Sequence, residues 1–105
     1  MQPEPGQVVT VFRSRLRPDA DAYPEHAQRM SALARTMPGY VEHKVFTAED
    51  GERVTLVTFA DRAAQEAWAR HPEHRTAQRA GVTDYYEEYS ISVGVVDRAH
   101  AWTRA

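Results

Sequence analysis

The stretch "YVEHKVFTAEDGERVTLVTFA", Tyr40 to Ala60, decides the fold. Two runs rich in β-branched and aromatic residues flank Asp50-Gly51, the strongest short signal for a reversal between paired strands. Taking Asp50 and Gly51 as the turn sets Val45 opposite Leu56, Phe46 opposite Thr55 and His43 opposite Thr58. That register predicts one face of Val41, His43, Val45, Val54 and Leu56 and a second of Tyr40, Phe46, Val57 and Phe59. Both faces carry large apolar groups, so both are expected to be covered.

Upstream, "QVVTVFRSRL" (Gln7 to Leu16) is another strand. Val8, Thr10, Phe12, Ser14 and Leu16 alternate with Val9, Val11, Arg13 and Arg15. Pro18 stops it, Asp19 is a plausible helix cap, and Tyr23, Ala27, Met30, Leu33, Ala34 and Met37 recur at helical spacing as far as about Thr36. "MPG" then ends the helix, since a residue before proline avoids the α region and Gly39 can adopt a positive φ. Downstream, Asp61 caps a second helix, "RAAQEAWAR". The chain is expected to bend at His71 before Pro72 starts "PEHRTAQRA", which Gly81 closes. A last strand, "DYYEEYSISVGVV", sets Tyr85, Glu87, Tyr89, Ile91, Val93 and Val95 against Tyr86, Glu88, Ser90, Ser92, Gly94 and Val96.

The order β-α-β-β-α-β predicts an α+β, ferredoxin-like fold: a four-stranded antiparallel sheet with two helices on one face. Helices cover one face only. Apolar groups on the other therefore predict a homodimer through the sheet face.

With 105 residues, the chain has room for one core, expected over 7–97 with a leader at 1–6 and a tail at 98–105. Thirteen Lys and Arg against 15 Asp and Glu leave a formal charge of −2 and give no electrostatic reason to expect nucleic acid or a membrane surface as partner. Cysteine is absent, which removes disulfides, thiol catalysis and Cys-ligated metals. The polar start "MQPEPGQ" and the lack of a long apolar run make a cytoplasmic protein the expectation. His71 and His74 stand three apart, but no His-Glu-x-x-His or two-His-carboxylate spacing occurs, so no metal is expected.

Taken together, "VFRSRL", "MPGYVEHKVF", "DGERVTLVTFA", "AWARHPEH" and "YYEEYSISV", in this order, resemble the antibiotic biosynthesis monooxygenase superfamily of dimeric α+β-barrel proteins. The resemblance runs from about Val8 to Val96. It implies two ferredoxin-like subunits pressed sheet to sheet, each with a pocket between helices and sheet. Its members include oxygenases that make quinones without a cofactor and enzymes that degrade haem. The quinone-forming branch has an Asn four residues before a helix-two Trp and a Tyr about six after it. Here Trp68 matches the Trp, while Ala64 and His74 hold the flanking positions. The haem-degrading branch has an Asn on the first strand and a ligating His about ten residues after the Trp, positions that here carry Ser14 and Gln78.

The expected catalytic residues are therefore His74, Trp68 and His71. His74 stands near the family's pocket Tyr, and an imidazole with a reference pKa of roughly 6.5 suits proton removal from an activated carbon. Trp68 is either a core residue or a wall on which a planar ligand stacks. His71 is either a helix-entry residue satisfying a local backbone group or a second base. Tyr40, His43, Tyr85 and Tyr86 are candidate substrate-lining residues, with ordinary sheet packing as the alternative. Arg13 and Arg15 are expected to pair with Glu42, Glu87 or Glu88 across the barrel. The function these readings imply is a cofactor-independent monooxygenase acting with O2 on a small hydrophobic, aromatic or polyketide-type molecule. A haem-binding or haem-degrading enzyme, and a non-catalytic ligand-binding dimer domain, are the alternatives.

Overall fold

The computed structural model describes residues 2–105; Met1, part of the expected leader, lies outside them. Four strands, β1 (Val8–Leu16), β2 (Tyr40–Thr47), β3 (Arg53–Phe59) and β4 (Tyr86–Val95), form one antiparallel sheet in the order β2-β3-β1-β4. Three helices connect them: α1 (Tyr23–Arg35), α2 (Arg62–Arg70) and α3 (Pro72–Ala80). The expected ferredoxin-like fold is present, with the second helix divided in two.

That division follows from the sequence. Asp61 caps α2 by accepting from the Ala64 N–H at 2.8 Å. His71 leaves the helical region at φ −58°, ψ 131°, the extended conformation that a residue before proline prefers, and Pro72 opens α3.

The faces of β1 are as expected. Val8, Thr10, Phe12 and Ser14 line up with Phe59, Val57, Thr55 and Arg53 of β3 on the helix side. Phe59, Trp68 and Ala34 form the buried centre, with Met30, Leu33, Met37, Tyr40, Val57 and Ala64 against them. On the other side, Val9, Val11, Val54 and Leu56 remain half-exposed.

Five expectations need correction. The hairpin register is one residue off: Val45 pairs with Thr55, Phe46 with Val54 and His43 with Val57. Asp50 and Gly51 lie inside a longer loop, in which the Ala48 N–H donates to the Glu52 carbonyl at 2.8 Å and Asp50 Oδ1 accepts from the Glu52 N–H at 3.0 Å. A one-residue slip turns every side chain of one strand over relative to its partner. Tyr40, His43, Val45, Val57 and Phe59 thus share the helix side, with a bulge between Tyr40 and Glu42 absorbing Val41.

Asp19 does not cap α1. It pairs with Arg17 at 3.2 Å, and the helix starts after Ala22 with Pro24 in its first turn. Gly81 does not close α3 by a positive φ, since its φ is −58°. The chain continues through a π-helical turn, Gly81–Tyr85, before β4. Tyr85 is thereby off the strand, and a bulge opposite Arg15 and Leu16 brings Tyr86 onto the helix side with Tyr89. Finally, Arg13 and Arg15 pair within the chain, with Glu52 at 2.7 Å, Asp50 at 2.7 Å and Glu88 at 3.3 Å; Glu42 and Glu87 take no part.

Candidate functional site

Trp68 comes from the last turn of α2 and His74 from the first turn of α3, and the His71-Pro72 break folds the second back over the first. Their rings stack with centroids 3.9 Å apart and planes 15° from parallel. His74 Nδ1 is 3.0 Å from the Trp68 carbonyl oxygen, which can only accept, so Nδ1 carries the hydrogen. The tautomer is fixed, and in the neutral ring the free lone pair is on Nε2. Burial holds the His74 pKa below the ordinary histidine value; the Trp68 carbonyl opposes this, and the nearby charges of His71 and His26 add to it.

Trp68 itself is 8% exposed. Its ring lies 6.5 Å from that of Phe59, and His74 covers one of its faces. His71 accepts at Nδ1 from the Glu73 N–H at 3.2 Å, the helix-entry role, with its ring 6.5 Å from Trp68.

The remaining candidates form two further groups. Tyr40 Oη lies 2.7 Å from His43 Nδ1, and His43 Nε2 lies 3.0 Å from Ser31 Oγ, a chain satisfied in either tautomer. His43 ties β2 to α1 and has a lowered pKa through burial and the charge of Arg35. The Tyr40 ring meets Phe59 edge-on at 6.2 Å, next to Trp68 in the core.

Tyr85 and Tyr86 join residues that the sequence reading left out of the site. The Tyr86 hydroxyl donates to that of Tyr23 at 3.4 Å, and burial first, then this contact, pushes its pKa well above the usual tyrosine range. Tyr85 lies 4.7 Å from His26 and 5.7 Å from Tyr23, ring to ring. His26, buried on α1, has a pKa lowered by desolvation and by Arg29. The signal for it was present: His26 stands three residues after Tyr23 and four before Met30, on the same face of α1. The helix side thus carries two aromatic groups, one of Phe59, Trp68 and His74 and one of His26, Tyr85, Tyr23 and Tyr86, with the charge of His26 felt at His74.

Gln78, where the haem-degrading pattern has its ligand, is exposed on α3 and offers only a carboxamide, a poor donor to iron. Ser14, at the place of that pattern's Asn, is buried. These residues do not make up the haem-degrading set. Among the described residues no group of three His, Asp or Glu side chains could hold a metal ion, and no helix is long and apolar enough to cross a membrane.

A four-stranded antiparallel sheet with aromatic and histidine side chains packed under its helices places the chain among the small α+β proteins of ferredoxin-like fold. Residues 7–80 match the family described as antibiotic biosynthesis monooxygenase, and the chain belongs to that family. It is 32% identical over 96 residues to the uncharacterized protein YqjZ of Bacillus subtilis (strain 168), covering 91% of this chain and 84% of that one. In fold it is similar to SnoaB of Streptomyces nogalater, a cofactor-independent oxygenase (TM-score 0.77, 16% identity, 90% of this chain and 96% of that one). It is similar also to Rv0793 of Mycobacterium tuberculosis (TM-score 0.73, 22% identity, 92% and 99%).

Proposed function

We propose that this chain is a cofactor-independent monooxygenase acting with O2 on a small aromatic or polyketide-type molecule, with His74 as its base. The observation that carries this reading is the His74–Trp68 pair. A hydrogen bond to a backbone carbonyl fixes which nitrogen is free, stacking fixes where it lies, and burial keeps the ring neutral at neutral pH. Trp68 acts as a positioning residue for His74, and His71, capping α3, sets the angle between the two helices. Tyr85, Tyr86, Tyr40 and His43 are proposed to line the substrate. Family membership and the likeness to SnoaB support the reaction class.

In the proposed reaction Nε2 removes a proton from an activated methylene, and the carbanion passes an electron to O2. Recombination gives a peroxide that returns to neutral through the His74 proton, then loses water to leave a carbonyl. One methylene and one O2 become one carbonyl and one water, and the four electrons that reduce O2 come from the substrate carbon. An apolar wall that excludes water protects the carbanion from reprotonation. The apolar open face, with Val9, Val11, Val54 and Leu56, supports a homodimer through the sheet as part of this proposal.

The test is oxygen uptake with a panel of anthrones. Wild-type protein should consume O2 and release quinone in equal amounts, and His74→Ala should lower kcat by about 10²–10⁴-fold. Trp68→Phe, which retains an aromatic surface, should fall between the two. Because His74 works only when neutral, activity should fall on acidification at a pH below that of an ordinary histidine. Uptake no greater than that of His74→Ala across the panel would remove the proposal for this substrate class. The depth of Trp68 favours a second reading, a ligand-binding domain without turnover, whose mark is binding of the same anthrones unchanged in His74→Ala.

A further inference from the structure

Among the described residues, Arg53 at the hairpin end has no acidic group within ion-pair distance. Three nearby acids are committed: Glu52 holds Arg13 at 2.7 Å, Asp50 holds Arg15 at 2.7 Å, and Glu88 meets Arg15 at 3.3 Å, while Glu87 lines the same concavity outside any ion pair. Arg53, the first residue of β3, projects to the opposite, helix side across from buried Ser14. Among the described residues it makes no ion pair, and its Nε is buried with no protein acceptor. An arginine without an acidic partner favours a ligand that brings a carboxylate to its guanidinium. The guanidinium lies 5.1 Å over the Tyr23 ring, a stack that holds its plane and leaves its N–H edge to define the direction of bonding.

Arg53 also lines a surface concavity of about 370 Å³, together with Arg15, Leu16, Pro18, Asp50, Gly51 and Glu87. We propose that this concavity binds a small aromatic monocarboxylate whose carboxylate takes the guanidinium fork of Arg53. Each part of the description has its own reason. Arginine stays protonated at any physiological pH, and its fork matches a carboxylate through two parallel hydrogen bonds. A single charge suits the rim, because Arg15 already neutralises Asp50 while Glu87 repels a second anionic group. Leu16 and Pro18 supply an apolar wall for a flat body, and the volume lies at the small end for ligand sites. The site makes no use of His74, so it stands or falls apart from the oxygenase reading.

Calorimetric titration of the full chain with naphthoate, and with naphthamide as a neutral analogue of the same shape, tests it. Naphthoate should bind and shift the Arg53 Nε–H resonance, while naphthamide binds at least about tenfold more weakly, the worth of a charge-assisted pair. Arg53→Gln should weaken naphthoate at least tenfold, and Arg53→Lys, which retains the charge without the fork, several-fold. If Arg53→Gln fails to fold by circular dichroism, Arg53→Lys carries the comparison. Equal affinity for acid and amide, binding unchanged in the folded variants, or no naphthoate binding at millimolar concentration overturns the proposal.

Discussion

Phe59 on β3 and Ile91 on β4 project from the same side of the same sheet, yet Phe59 is 0% exposed and Ile91 50%. The helices account for the difference: α1 packs on β2 and α2 on β3, so the cover lies over one half of the face. Over β4 the row Tyr89, Ile91, Val93 and Val95 stays 45–50% exposed. Alternating apolar residues report which side of a strand is built for burial and leave open what buries it. The covered half carries the packing and the candidate base; the uncovered half contributes surface.

The sharpest way to break this comparison is Phe59→Ala. Removing a fully buried aromatic ring that meets Tyr40 and Trp68 should cost about 3–5 kcal/mol, read as a lower urea midpoint at unchanged slope. Gly39→Ala should come next. Gly39 has φ +80°, and a Cβ there would lie 2.5 Å from that of Ala64 on α2, so β2 or α2 must shift. The clash should cost about 1–3 kcal/mol, with the left-handed backbone adding strain of similar order. Because the shift loosens α2, the Trp68–His74 stack should loosen with it, visible as a change in tryptophan emission.

These two residues also show how far the sequence could be read. Phe59 and Gly39 follow from local rules, one from its place in an apolar run and the other from the Pro-Gly turn that ends α1. The same holds for the Asp61 cap, the break at His71 and the position of Trp68. Gly81 is a different case: it reads as a helix terminator, yet its φ is ordinary and its purpose is space, since a Cβ would lie 2.5 Å from the Tyr86 ring. That contact joins a turn to the start of a strand, and no local pattern encodes it. The hairpin register failed for a related reason. Asp-Gly marks a reversal, but the length of the loop is set by how Asp50 bonds to Glu52 and Arg15. Of the site, Trp68 and His74 could each be singled out from their positions, but their stack depends on the angle taken at His71-Pro72, which no local pattern encodes. Tyr23 and His26 share a face of α1 by spacing, and it is the packing of that helix that brings them to Tyr85 and Tyr86.

Acid should act on the covered half. His26, His43 and His74 all lie on the helix side, and burial is the first cause of a lowered pKa in each. The unfolded chain then takes up protons first as pH falls, so stability is lost between the ordinary histidine pKa of about 6.5 and the lower folded values. Thermal midpoints should be level above neutrality and should drop on acidification through that window. Replacing His43 by Gln, which retains a hydrogen-bonding side chain and does not titrate, should flatten the profile. An unchanged slope in that variant would assign the acid sensitivity to His26 and His74.

The smallest effect belongs to the other half. Ile91→Ser removes an apolar group that is already half in water, so in dilute solution the urea midpoint should move by no more than about 0.5 kcal/mol. The same change serves as a control for the open face. If that face pairs two chains, Leu56→Asp, on β3 opposite Val11, should lower the mass in light scattering to that of one chain while Ile91→Ser leaves it unaltered. Should Ile91→Ser dissociate the protein and Leu56→Asp not, the contact between chains runs along β4 on the helix side. The exposed row would then be half of an interface, and the division between the two halves of the sheet would hold only for the isolated chain.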